Sequence, residues 1–146
     1  MKKSEIEEYL YYHIPITRSL GVMAMAFSEK EIRFKAPLSA NINHRSTAFG
    51  GSISSLLITT GWSYLRLLFD DIDPTPKIVI GRSCTNYLKP VTSDFSSELV
   101  IPEKHESENF MEMFDRFGKA RITLQAHIKK KESVLADFEG DFVVMS

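Results

Sequence analysis

A short stretch in the middle of the chain concentrates the residue types that could do chemistry. Asn41-Ile42-Asn43-His44-Arg45-Ser46-Thr47-Ala48-Phe49-Gly50-Gly51-Ser52 sets carboxamides, a histidine and hydroxyls ahead of a glycine pair, where a long apolar segment begins. If that segment is a helix, its first backbone N–H groups have no internal partner and lie at the positive end of its dipole. Such donors can hold an oxygen that gains negative charge, for example a carbonyl becoming an oxyanion or an enolate. Glycine lets a bulky group come close to that backbone. Losing one donor of this kind typically costs roughly 3 kcal/mol of transition-state stabilisation. The same glycine pair would equally serve a tight turn or close packing of the helix on a sheet.

The neighbouring side chains carry similar alternatives. The Asn43 amide could hold a water, contact a substrate carbonyl, or close the loop. His44 could act as base or hydrogen-bond donor, or be a structural loop residue. Thr47, Phe49 and Ser52 are candidate substrate contacts, although Thr47 and Ser52 could instead cap the helix. No serine stands in a pattern that activates a nucleophile, and Cys84 sits on a strand among apolar neighbours, so covalent catalysis is not expected. No carboxylate occurs from Gly50 to Phe69, and Asp70 would lie about 28 Å from Gly51 along a helix axis. A base would therefore be His44, or one of Glu103, Glu106, Glu108, Glu112 and Asp115 from the same or a second subunit, or be unnecessary. Arg45 and Arg82 could contact a substrate anion. Arg82 interrupts the apolar Ile78-Val79-Ile80-Gly81 run, and an interior charge usually has a partner, which could be a structural carboxylate. Met23, Met25, Met111 and Met113 could line an adaptable pocket, with core filling as the alternative. His13, His105 and His127 read as surface residues, and no spacing suggests a metal set. Neither a metal nor another cofactor is expected.

The elements that must position these groups follow from periodicity. Ser4 with Glu7 forms a capping-box pattern, opening a short helix with Ile6, Tyr9, Leu10 and His13 on one face and a stop near Ile14-Pro15. Thr17 to Leu20 adds a turn ended by Gly21. Val22 to Phe27 and Glu31 to Ala36 read as a hairpin. The central helix places Ile53, Leu56, Leu57, Gly61, Tyr64, Leu65 and Leu68 at helical spacing, with Ile58, Trp62 and Phe69 widening the stripe. Lys77 to Leu88 and Phe95 to Ile101 are strands. Glu103 to Phe117 reads as a loop with a helical turn from Phe110 to Phe114. Ala120 to Ile128 and Val134 to Val144 alternate cleanly, which predicts an antiparallel hairpin with one wet face.

The chain has 146 residues, 43 % hydrophobic and 25 % charged, which fits one globular domain over residues 1–146. A net charge of −1 with no basic cluster disfavours nucleic acid as a partner. One cysteine excludes an intrachain disulfide. The first residues lack the apolar core of a signal peptide, so the expected setting is cytoplasmic. Gly50 to Phe69 is long enough for a bilayer, but Ser52, Ser54, Ser55, Thr59, Thr60, Ser63 and Arg66 make it too polar, and no membrane association is expected. A helix apolar on nearly all sides is buried within its domain. An α+β fold, a curved antiparallel sheet around one long helix, accounts for this order, with a second subunit as a natural source of further cover.

These residues carry a resemblance. The Pro37-Leu38 to Ser52 run resembles the signature of hot-dog-fold thioesterases, and in particular of the family found C-terminal to an acetyltransferase domain in some bacteria, which includes malonyl-acyl-carrier-protein decarboxylases. Tyr87-Leu88-Lys89-Pro90-Val91 resembles a strand end common in hot-dog proteins. The resemblance places Asn43 and the Gly50-Gly51 pair at matching positions; with His44 these are the candidate catalytic residues, and Thr47, Phe49, Ser52 and Arg82 are the candidate substrate contacts. It also implies a homodimer or higher homo-oligomer. It implies hydrolysis of acyl-CoA or acyl-carrier-protein thioesters. Many such enzymes carry an acid two turns past the glycines, where this chain has Ile58 and Thr59. That departure keeps open decarboxylation of a malonyl thioester to the acetyl thioester in fatty acid biosynthesis, and also a non-catalytic acyl-CoA binder.

Overall fold

The computed structural model describes residues 1–146. Helices α1 (Lys3–His13) and α2 (Ile16–Leu20) lead into a hairpin of β1 (Met23–Ser28) and β2 (Glu31–Ala36). Helix α3 (Gly50–Leu68) precedes β3 (Lys77–Tyr87) and β4 (Phe95–Val100). Helix α4 (Lys104–Phe117) then leads into the hairpin of β5 (Lys119–Lys130) and β6 (Ser133–Met145). All six strands join one antiparallel sheet in the order β1-β2-β4-β5-β6-β3. Strand β3 therefore has β6 on one side and an unpaired edge on the other.

The alternation in β5 and β6 sends Ala120, Ile122, Leu124, Ala126, Ile128, Ala136, Phe138, Phe142 and Val144 inward, all buried. Helix α3 lies against β2, β3, β4, β5 and β6, with Leu56, Leu57 and Leu65 fully buried beside Phe34, Leu124 and Phe142 in one continuous core. Its hydroxyl residues cost little in that position because they bond to their own helix. Thr59 Oγ1 donates to the Ser55 carbonyl at 2.7 Å and Thr60 Oγ1 to that of Leu56 at 2.8 Å. Thr60 also shares a 2.9 Å hydroxyl contact with the buried Ser97 of β4. Buried Arg66 stacks 4.6 Å over the Tyr9 ring and lies 3.5 Å from the Asp70 carboxylate. No helix is long and apolar enough to cross a membrane.

Three local expectations change. Helix α1 starts at Lys3 rather than from a Ser4–Glu7 box, and the Lys2 N–H donates to Glu5 Oε2 at 2.7 Å. The 104–117 segment is a full helix, not a loop with one turn. Phe110 and Phe114 meet Phe69 edge-on at 6.1 and 4.7 Å, and Gly118 closes the helix in the left-handed conformation at φ 66°. Its few apolar positions are diluted by carboxylates that face solvent, which hid the period. Cys84 is exposed rather than enclosed by apolar neighbours.

Gly61 brings α3 close to the sheet. A Cβ there would meet the Phe142 ring at 2.9 and 3.0 Å, and that ring is fully buried. Overpacking a core costs about 1–3 kcal/mol, whereas Gly to Ala in a helix gains about 1 kcal/mol. Because the Phe142 ring is fully buried and cannot swing away, the upper half of the first range applies, and Gly61→Ala is expected to lose about 1–2 kcal/mol net, read as a lower Tm. In a Phe142→Leu background the same substitution should become neutral or stabilising. An unchanged Tm for Gly61→Ala alone would contradict the close packing.

Candidate active site

The segment between β2 and α3 has little regular structure, so side chains hold it. Asn41 is buried, and its Nδ2 donates to the Leu20 carbonyl at 2.9 Å and the Pro37 carbonyl at 2.8 Å, tying the segment to the end of α2. Asp94 accepts the Leu38 N–H at 2.8 Å. Between them, residues 43–47 form a tight loop built on Asn43. Its Oδ1 accepts the Arg45 and Thr47 N–H groups at 2.9 and 3.1 Å, and its Nδ2 donates to Thr47 Oγ1 at 2.9 Å. The Asn43 N–H also donates to the Thr47 carbonyl at 2.8 Å. Ser46, at φ 62°, takes the left-handed turn that this closure requires. His44 and Arg45 project into solvent at the loop tip.

The two sequence motifs meet at this point. The Ala48 N–H donates to the Val91 carbonyl at 2.8 Å, and Phe49 N–H to that of Asn41 at 2.7 Å. Phe49 is the N-cap residue of α3 and supplies no side-chain cap. Neither Thr47 nor Ser52 caps the helix. The first N–H donating into the helix is that of Ile53, to the Phe49 carbonyl at 3.1 Å. The N–H groups of Gly50, Gly51 and Ser52 precede it and have no helical acceptor. Gly51 is exposed, and Ser52 half-exposed.

The glycine pair does not serve a tight turn, because neither residue has positive φ. What the glycines admit is aromatic. A Cβ on Gly51 would lie 2.6 Å from the Phe49 ring, and one on Gly50 would lie 3.4 Å from that of Tyr87. Tyr87, at the end of β3, donates its hydroxyl to the Gly50 carbonyl at 3.0 Å. A cleft of about 320 Å³ opens beside the helix start, lined by Thr47, Gly50, Ile53, Tyr87, Leu88 and Val91 among others, with no carboxylate in its wall. Tyr87 is the residue that sequence reasoning underused. Its signal was the Tyr-Leu-Lys-Pro-Val run, read as a strand end rather than as a wall of the site.

Other candidates lie elsewhere in the chain. Arg82 was expected as an interior charge near substrate. A bulge at Gly81 shifts the register between Ile80 and Arg82, so Arg82 faces outward and is exposed. Its guanidinium donates to Asp141 at 2.9 Å and also to Glu139. Bonds to Asp141, then Glu139, raise the Arg82 pKa further, and bonds from Arg82 and Thr123 hold Asp141 below the usual carboxylate range. This is the structural pairing that the sequence left open, on the sheet face opposite the helix. A larger recess of about 460 Å³ lies there, lined by Arg82, Cys84, Asn86, Gln125, His127 and Glu139 among others. His127 is half-buried in it, and burial pushes its pKa down. The acidic residues of 103–115 ride on or beside α4, whose Phe110 and Phe114 pack on Phe69 beyond the far end of α3. A helix of 19 residues is about 28 Å long, so within one chain those carboxylates do not reach Gly51.

Loss of the Asn43 side chain removes three hydrogen bonds, each worth about 0.5–1.5 kcal/mol net. Asn43→Ala should lower stability by about 1.5–4.5 kcal/mol, whereas Asn43→Asp keeps the Oδ1 acceptor and should stay near the wild-type Tm. Equal Tm values for Asn43→Ala and wild type would show that the loop closes without this side chain.

Comparison with known proteins places this geometry in context. The model of a family described as a putative thioesterase (yiiD_Cterm) matches residues 3–146. A putative thioesterase from Shewanella oneidensis is 26 % identical, with a TM-score of 0.86 over 99 % of this chain and 97 % of that one. A protein of unknown function from Chlorobaculum tepidum is 25 % identical, with a TM-score of 0.91 over 99 % of this chain and 94 % of that one. A thioesterase from Haemophilus influenzae shares the fold at 14 % identity, with a TM-score of 0.74 over 100 % and 92 % of the two chains. The wrapped sheet and central helix are those of the hot-dog fold.

Proposed function

The chain belongs to this putative thioesterase family, and from that premise we propose that it processes acyl thioesters carried on coenzyme A or an acyl carrier protein. The observation that carries the reading is the start of α3, where three N–H groups without helical acceptors adjoin a largely apolar cleft. A thioester carbonyl oxygen placed against them gains hydrogen bonds that strengthen as negative charge develops on it. Gly50, without a side chain and in the cleft wall, is the point of closest approach.

Hydrolysis is the reaction we assign first. Water adds to the carbonyl carbon, the oxyanion rests on the helix N-terminus, and the C–S bond breaks to release acid and thiol. The attacking water must lose a proton. Of the candidate bases, His44 is the one on the loop that leads into α3, and we assign it that role. A second reading is favoured by the absence of any carboxylate in the cleft wall. A malonyl thioester can lose carbon dioxide with its C–C bonding electrons passing into an enolate. The same N–H groups would hold the enolate oxygen, and protonation at carbon gives the acetyl thioester. No water attacks the carbonyl, so no base is needed to activate one.

We further propose a homodimer as the working form. The unpaired edge of β3 presents main-chain groups that a second strand can satisfy. Around it Val79, Tyr87, Leu88 and the nearby Phe49 are each about half exposed. Sedimentation should give twice the chain mass, and a monomer at working concentration would remove this assembly.

Mass spectrometry of malonyl-, acetyl- and longer acyl-carrier-protein thioesters, with coenzyme A forms in parallel, tests the reaction. Free thiol with released acid establishes hydrolysis, and a His44→Gln variant should then lose at least tenfold in rate. Conversion of malonyl to acetyl with the thioester intact, at similar rates with and without His44, establishes decarboxylation instead. Binding without turnover of any substrate would leave a non-catalytic acyl-CoA binder.

A further inference from the structure

Tyr87 occupies an unusual position for a large aromatic residue. It points to the helix side of the sheet, yet remains 55 % exposed, so the core does not account for it. Its ring carbons stand 3.4 and 3.5 Å from where a Gly50 Cβ would be, and its hydroxyl donates to the Gly50 carbonyl at 3.0 Å. The ring is thus held at one end by β3 and at the other by the first turn of α3. It forms part of the cleft wall together with Thr47, Ile53 and Leu88. An oxygen held by the first-turn N–H groups would bring its attached carbon chain past this ring.

The neighbouring helix-facing positions of β3 make the contrast. Gly140 and Ala136 on β6 pair with Ser83 and Tyr87, and Phe138 pairs with Thr85. Of these three β3 residues only Tyr87 carries bulk, and it alone stands at the helix start. A ring fixed at both ends is a wall rather than a mobile flap, and each methylene that a wall rejects changes selection by roughly tenfold or more.

We propose that Tyr87 is the specificity-determining residue of this site and restricts it to thioesters of short acyl groups. The proposal rests on the acyl-thioester reading above and adds to it the class of acyl chain. The hydroxyl bond to Gly50 fixes the ring, and the ring supplies the exclusion. Removing the ring and removing only the hydroxyl therefore have different consequences.

Binding of acetyl, butanoyl, octanoyl and dodecanoyl amide analogues of coenzyme A and of acyl carrier protein, in which NH replaces the thioester sulfur so that the carbonyl oxygen is kept and turnover is blocked, can be measured by calorimetry on the intact protein. Wild type should bind the acetyl and butanoyl forms at least tenfold more tightly than the octanoyl and dodecanoyl forms. Tyr87→Ala should cut that ratio at least tenfold, mainly by tighter binding of the long forms, with the sedimentation mass of wild type showing that the assembly is intact. Tyr87→Phe should keep the ratio within about threefold of wild type, since the ring remains. If Tyr87→Ala folds and retains the wild-type ratio, or wild type prefers the long forms, the proposal falls while the thioester reading stands. If Tyr87→Ala does not fold, Tyr87→Leu and Tyr87→Trp carry the test. Leu should relax the limit and Trp tighten it, and no movement in either overturns the proposal. Wild type that binds none of these analogues on either carrier removes the thioester reading and the proposal together.

Discussion

Helix α3 is apolar on most of its circumference, and a single flat surface cannot bury such a helix. Five of the six strands close on it, and the approach is made at Gly61, where helix backbone and the Phe142 ring leave no room for a methyl group. The cost of leaving a helix of this kind in water is of the order of 1.5–3 kcal/mol for each large apolar side chain exposed. That term holds the sheet closed around the helix. The serines and threonines along it do not oppose burial, because Thr59 and Thr60 return their hydroxyl protons to the preceding turn.

Fixing the body of α3 fixes where it starts, and the site is built around that start. The loop between β2 and α3 is anchored by Asn41 to α2 and by Ala48 to the strand end at Val91. Asn43 folds the intervening residues onto themselves. With Phe49 as the N-cap, no side chain competes for the first N–H groups. An uncapped helix start forgoes about 1 kcal/mol of stability that a Ser, Thr, Asp or Asn cap would supply.

The chemical character of the site follows from what surrounds those donors. The cleft is largely apolar, which strengthens hydrogen bonds to a developing negative charge and weakens hydration of a carboxylate. The one charged side chain in its wall is that of Lys89, whereas Arg82, Glu139 and Asp141 satisfy one another on the other face of the sheet. The acids of α4 are kept at the far end of the helix by the packing of Phe110 and Phe114 on Phe69.

The sequence by itself determined much of this. Alternation fixed which faces of β5 and β6 are wet, the long apolar run fixed a buried helix, and the glycine pair marked its start. The family resemblance of the two motifs was readable from residue types alone, as was the absence of an acid on the helix. Other features depended on tertiary contacts. Helix α4 was hidden because its identity rests on Phe110 and Phe114 finding Phe69, while its charged residues mask the period. Arg82 looked interior because strict alternation was carried through Gly81, where a bulge, of which a glycine inside a strand is the local sign, turned it outward. The carboxamide of Asn43 proved to be engaged within its own loop. Tyr87 came to stand over the helix start only because the strand end and the loop are joined through Val91 and Ala48. Periodicity reports which face of an element is buried, since that is a property of neighbours along the chain. Which side chain closes a cleft depends on register and on contacts distant in sequence, and only the folded sheet fixes those.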